Sequence, residues 1–205
     1  MADDDLARLQ SESSFEDESF DDLDLGGVNL VGKEFARCTF RGTKLSDTAW
    51  ANTVLEDCDF ESCDLSNVRL AGATLRTVHF RACKLVGVSW MGLSASPSVS
   101  FTDCAMRYQA FIGLLLRSTP FTRCSLVESA FQEVDLSRAT FVDCDLTRAT
   151  FDRCVLAGTD FSAAIGVVFD AAKNRAKGAK ISADTASAMA SALGLIVSGY
   201  TPAKR

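Results

Sequence analysis

Large apolar side chains recur at every fifth residue from Phe20 to Trp90: Phe20, Leu25, Leu30, Phe35, Phe40, Leu45, Trp50, Leu55, Phe60, Leu65, Leu70, Leu75, Phe80, Leu85, Trp90. The series resumes one residue out of phase at Phe101 and continues through Met106, Phe111, Leu116, Phe121 and onward to Phe161. A helix repeats its buried face about every 3.6 residues and a strand about every 2, so neither accounts for this period. A fixed non-helical period over about 140 residues implies a stacked solenoid, and solenoids bind partners along their sides.

Small side chains recur two residues before each large one. Val28, Cys38, Thr43, Thr48, Thr53, Cys58, Cys63, Val68, Ala73, Val78, Cys83 and Val88 take this slot, and Cys104, Cys124, Ser129, Val134, Ala139, Cys144 and Cys154 continue it. Lys33, Gln109, Leu114 and Thr119 occupy it differently. A small and a large inward residue, with polar residues between, describes short strands turning a corner every five residues.

This pattern resembles the pentapeptide-repeat family, with segments such as Cys144-Asp145-Leu146-Thr147-Arg148 and Ala149-Thr150-Phe151-Asp152-Arg153 carrying it well. The resemblance implies an all-β solenoid, a right-handed quadrilateral β-helix in which four repeats make one coil. Residues 20 apart then stack, and the sequence supports this independently: Phe20, Phe40, Phe60, Phe80, Phe101, Phe121, Phe141 and Phe161 form one pure column. A second column, taken as the opposite one, reads Leu25, Leu45, Leu65, Leu85, Met106, Leu126 and Leu146. The columns stay pure only if the step from Trp90 to Phe101 contains one inserted residue. This places a bulged corner in Met91–Ser100, where Pro97 suits a loop because it cannot donate a ladder hydrogen bond.

The expected organisation is an acidic extension over 1–19, a β-helix of about seven coils over 20–165, and a cap with a short α-helix over 166–205. At about 4.8 Å per coil the rod is roughly 30 to 35 Å long. The chain has 47% hydrophobic residues but no run of 18 apolar ones, so no membrane span is expected. Met1-Ala2-Asp3-Asp4-Asp5 lacks a basic segment followed by an apolar one, so a cytoplasmic location is expected. The eight cysteines contain no C-x-x-C, and Cys63, Cys83, Cys104, Cys124 and Cys144 fall in one inward ladder. They read as packed, reduced thiols rather than metal ligands or disulfides. No cofactor is implied.

The first 24 residues hold ten acids against Arg8 alone, in a chain of net charge −6. Two readings stand: a solvated, partly disordered tail, or a segment that covers the first coil or competes for a basic groove, since Phe15 and Phe20 keep the repeat register. Toward the other end, Ser182 suits a helix N-cap over about Ala183–Leu193, with Gly194 as terminator. Ala186, Met189, Ala190 and Leu193 share a face of that helix, and Leu195-Ile196-Val197 follow as a short apolar strand or turn. This segment is either a lid on the last coil or a lid that also presents apolar surface to a second copy.

Gly178-Ala179-Lys180-Ile181-Ser182 and Leu193-Gly194-Leu195-Ile196-Val197 are similar to the C-terminal segment of the Qnr-type quinolone-resistance proteins. That resemblance implies a homodimer joined through Met189, Leu193, Leu195, Ile196 and Val197. It also implies binding to DNA gyrase and topoisomerase IV by imitation of duplex DNA, with protection from topoisomerase poisons. Projecting loops matter in those proteins, which makes Met91 and Pro97 candidate contacts.

Sorting outward residues onto faces gives Asp59, Glu61, Asp103, Asp143 and Asp160 on the phenylalanine face, together with Arg41, Arg81 and Arg123. The leucine face carries Asp64 among Lys44 and Lys84, and Glu56, Asp57, Asp59, Glu61 and Asp64 form one acidic cluster. These acids are the candidate partner contacts, although ordinary surface polarity accounts for them as well. The face of Leu30, Trp50, Leu70 and Trp90 carries mostly Ala and Gly outward, either as a contact surface or because tight corners tolerate small residues. His79 is the only histidine, so no catalytic triad or histidine metal site is expected. There is no basic stripe for direct nucleic-acid binding. The reading from a different class is a non-catalytic interaction scaffold with an unrelated partner.

Overall fold

The computed structural model describes residues 2–94 and 96–201. Met1 and residues 202–205, which the expected domain limits include, lie outside the described residues. The chain is a parallel β-solenoid of about eight turns with a helix at each end, α1 (Ala2–Ser11) and α2 (Ala183–Ala192).

Every coil has four sides, and the register between coils is 20 residues. Phe20 pairs with Phe40, Phe40 with Phe60 and Phe60 with Phe80, all in parallel. Phe80 then pairs with Phe101, so the inserted residue is absorbed between Trp90 and Val99 without breaking the column. The phenylalanine face forms one nine-stranded sheet from Ser19–Asp21 to Lys180–Ile181, the spine of the molecule. Its rings stack at 4.7–5.3 Å between centroids because the coil spacing holds them there.

Two sequence expectations change. The leucine column is not opposite the phenylalanine column, because consecutive repeats turn only one corner and are therefore neighbours. What faces the phenylalanines across the core is the column of Leu30, Trp50, Leu70 and Trp90: Trp50 meets Phe40 and Phe60 edge-on at 6.2 and 6.0 Å, and Trp90 meets Phe101 at 5.9 Å. The rod also begins earlier than residue 20 and has about eight coils rather than seven. Ser14–Glu16 pairs with Glu34–Ala36, placing Phe15 at the start of a fourth column with Phe35, Leu55 and Leu75.

The acidic N-terminal segment covers the first coil. Leu9 is fully buried, and Leu6 packs against the core. Arg8 binds Glu12 at 3.0 Å and Glu18 at 2.7 Å, tying α1 to the loops it covers. Lys33 lies in a buried small-residue slot because its Nζ reaches the Glu12 carbonyl.

The corners explain the five-residue rule. Each holds one residue with positive φ, from Asp17, Asp22 and Gly27 at five-residue steps to Gly92, and from Asp103 onward to Gly158. Where the inward slot carries a hydroxyl it can satisfy a backbone carbonyl of the coil below: those of Thr43, Thr53 and Thr159 donate to Phe20, Leu30 and Leu136 at 2.7–2.8 Å. Cysteine thiols do the same at longer range, as Cys63 does to Phe40 at 3.3 Å and Cys83 to Phe60 at 3.4 Å. All eight cysteines are buried and unbridged. Burial pushes the Cys154 thiol above its ordinary pKa, which keeps it protonated.

Candidate partner-binding surfaces

Charged side chains on the rod are organised by the coil register. Residues 20 apart are stacked neighbours, so like charges would repel along a column while opposite charges pair. Many columns follow this rule. Lys44 binds Asp24 at 3.1 Å, Lys84 binds Asp64 at 3.0 Å and Arg153 binds Glu133 at 2.9 Å. Arg41 lies between Asp21 at 3.6 Å and Glu61 at 3.5 Å.

This arrangement decides what the candidate acids offer. Asp59 is bound by Arg81 at 2.9 Å, Asp103 by both arms of Arg123 at 2.6 and 2.7 Å, and Asp160 by Lys180 at 3.1 Å. Glu61 and Asp64 are paired as above. Asp143 is exposed at a corner within the field of Arg123 and has no ion pair among the described residues. Asp57 of the acidic cluster, and Asp22, which the sequence did not single out, are likewise exposed without an ion pair among the described residues. The Arg123 guanidinium holds the Asp103 carboxyl below its usual pKa, and hydrogen bonds from the Ser162 hydroxyl and amide bring Asp160 down to about 2. The phenylalanine face is therefore a lattice of neutralised pairs rather than a row of bare carboxylates.

Met91 and Pro97 part company. Met91 is 67% exposed in one outward column with Val31 and Ile112, so it belongs to a weakly charged apolar strip. Pro97 is buried beside His79, Ser98 and Thr119, because the inserted residue is folded into the missing rung of the fourth face and does not project as a loop.

The single histidine stands in a column with an acid and a hydroxyl, Asp59 pairing with His79 and His79 with Ser100. Nδ1 of His79 lies 2.6 Å from Ser100 Oγ. The Asp59 carboxylate is turned to Arg81 instead of the imidazole, so a triad is not assembled. Among the described residues no group of three His, Cys, Asp or Glu side chains could hold a metal ion, and no helix is long and apolar enough to cross a membrane.

At the C-terminal end α2 closes the last coil. Ser182 Oγ accepts the Thr185 amide at 3.1 Å as N-cap, Thr185 is buried, and Gly194 follows the Leu193 C-cap with φ of 76°. Met189 is half-buried, packing partly on the chain's own core. The residues past the helix form no strand and turn outward: Leu193 is 77%, Leu195 60% and Ile196 95% exposed, with Val197 also exposed.

The 20-residue parallel register, four-sided coils and left-handed corners define a pentapeptide-repeat solenoid. The sequence models for the pentapeptide repeat region and for pentapeptide repeats match residues 33–111 and 129–165, and the chain belongs to this family. Among solved structures, a trypsin-treated variant of QnrB1, a plasmid-mediated fluoroquinolone resistance protein, shares 23% identity over 91% of this chain and 90% of its own, with a TM-score of 0.54. Full-length QnrB1 shares 20% over 89% and 90%, with a TM-score of 0.44. HetL of Nostoc sp. strain PCC 7120, involved in heterocyst differentiation regulation, shares 16% over 83% and 90%, with a TM-score of 0.45. No curated protein matches the sequence.

Proposed function

We propose that the protein is a non-catalytic, homodimeric rod that binds DNA gyrase and topoisomerase IV in place of duplex DNA and protects them from topoisomerase poisons. The observation that carries the reading is the length of the molecule: a continuous spine of nine rungs. At about 4.8 Å per rung this is on the order of 38 Å, close to one duplex turn of about 34 to 36 Å. The exposed Leu193, Leu195, Ile196 and Val197 supply an end at which a second copy can extend the rod. The likeness to QnrB1, a fluoroquinolone resistance protein, supports the same reading.

Within this proposal the candidate acids divide. Asp57 and Asp143, and with them Asp22, carry no ion pair among the described residues, whereas Asp59, Glu61, Asp64, Asp103 and Asp160 must exchange an internal cation for one on the partner. The neutralised ladders and the apolar strip around Met91 favour the second reading, a scaffold whose partner is not a DNA-binding enzyme. A supercoiling and cleavage assay with purified gyrase and a poison, titrated with this protein from substoichiometric amounts, separates the two. Rescue of supercoiling with fewer cleaved complexes is expected. Absence of both rescue and inhibition across several poison classes transfers the reading to the scaffold.

A further inference from the structure

We infer that the last rung of the fourth face, residues 173–178, is an open edge that receives an extended acidic segment of a partner protein as the next strand of the ladder. This site lies beyond gyrase binding, and it rests on a second copy joining through residues 193–197 rather than through this edge.

The first argument is the charge rule itself. In the columns of the rod, most cations are answered by acids one coil away, as in Asp64–Lys84, Asp103–Arg123, Glu133–Arg153 and Asp160–Lys180. Arg69, Arg107 and Arg138 stand singly without an ion pair among the described residues, whereas the last rung gathers three such cations on one edge. Lys173, Arg175 and Lys177 point outward at alternate positions, exposed, while Asn174 is buried and Ala176 packs on the core. None of the three cations has an ion pair among the described residues. The coil beneath offers Arg153, Val155 and Ala157 in the corresponding positions, none of them an acid. The strand that would continue these columns must therefore be the one to bring carboxylates.

The second argument is the backbone. Arg175 N–H donates to Cys154 and its carbonyl accepts from Leu156, both at 2.9 Å, and the Lys177 carbonyl accepts from Gly158 at 3.1 Å. These groups face the coil below. One coil earlier, Leu156 N–H and Gly158 N–H are the groups that reach the next rung, so their counterparts are Ala176 N–H and Gly178 N–H. Neither of those donates to a backbone or side-chain acceptor among the described residues. The edge thus offers strand donors of the kind that pair with an added peptide strand.

Among the described residues none donates to or accepts from the outer groups of this edge. After Gly178 the chain crosses to the phenylalanine face as Lys180–Ile181 and enters α2, which lies over Ala164–Val168 and beside Phe151 and Phe169. A second copy's identical edge would set cation on cation, which is how basic residues normally guard a strand edge. What passes this filter is an acidic strand. A peptide also matches the edge better than a nucleic acid, since phosphates have no N–H groups to return to the strand carbonyls.

The test uses the full chain and a fluorescein-labelled peptide alternating aspartate with valine, followed by anisotropy. Saturable binding is expected, lost when lysine replaces aspartate or proline interrupts the peptide, and weakened at least about tenfold by the double variant Arg175→Glu and Lys177→Glu. Both side chains are exposed, so the variant keeps its fold, which far-UV circular dichroism checks. Arg69→Glu, on another face, leaves affinity unchanged. Hydrogen exchange at Ala176 and Gly178 slows on peptide addition. Absence of binding at millimolar peptide, affinity indifferent to the double variant, or unchanged exchange at both amides overturns the proposal. So does tighter binding of a duplex DNA oligonucleotide with the same loss in the variant, which assigns the edge to nucleic acid.

Discussion

A buried hydroxyl such as that of Thr53 does two things at once: it fills the narrow slot behind Leu55 and satisfies the Leu30 carbonyl of the coil below at 2.7 Å. Thr53→Val preserves shape and removes the donor, leaving a buried acceptor unpaired, so a loss of about 1 to 2 kcal/mol is expected in urea unfolding. Gln109 extends the same logic, binding the Leu85 carbonyl while accepting the Trp90 indole at 2.6 Å. At the corners the pressure is on φ. Thr77 holds a φ of 52° with a β-branched side chain exposed to solvent. Thr77→Gly relieves left-handed strain at some cost in chain entropy. A net gain of about 1 kcal/mol is expected, read as a melting temperature higher by about 2 to 4 °C.

At the scale of the rung, stability is shared between stacked rings and cross-coil ion pairs. Exposed pairs contribute individually little, about 0.2 to 1 kcal/mol, but they set register, since slipping one repeat places unlike columns together. Their pH dependence has a definite sign. Asp17, Asp24, Asp64, Asp103 and Asp135 all have folded pKa values below the ordinary carboxylate range, and Asp160 lies near about 2. A depressed folded pKa contributes stability above the unfolded value, and that contribution disappears as pH falls through the folded one. Melting temperature is therefore expected to hold from neutrality to about pH 4 and to drop between about pH 4 and about pH 2. A flat profile across that window would show that the ladders do not stabilise the rod.

For the whole molecule, the two ends are treated differently. α1 buries Leu9 and closes the first coil, whereas the residues after α2 leave Leu195 and Ile196 in solvent. If that end joins two copies, the double variant Leu195→Lys and Ile196→Asp is expected to elute as a monomer with an unchanged circular dichroism spectrum. Light scattering checks the mass, and a variant that stays dimeric places the interface elsewhere. A monomeric variant that still rescues gyrase would separate dimerisation from protection.

The five-residue period by itself determined the solenoid and its inward columns, because each follows from burying one side of a repeating strand. The 20-residue register and the inserted residue came from the pentapeptide-repeat resemblance together with the purity of the phenylalanine column. The corner rule was also written there, in Gly27, Gly32, Gly42, Gly72, Gly87 and Gly92 at repeat spacing, although aspartates and arginines at other corners disguise it. Only tertiary structure decided which acids are free. Asp103 and Asp143 occupy the same corner position on either side of Arg123, yet Arg123 binds Asp103 at 2.6 Å and makes no ion pair with Asp143, a difference set by side-chain reach across a coil. The acidic N-terminus supported two readings until Leu9 and Arg8 were placed, since one apolar residue and one cation carry too weak a pattern. The unanswered cations of Lys173, Arg175 and Lys177 became visible only once the ladder showed where it stops, because an edge belongs to the assembled sheet and not to any residue in it.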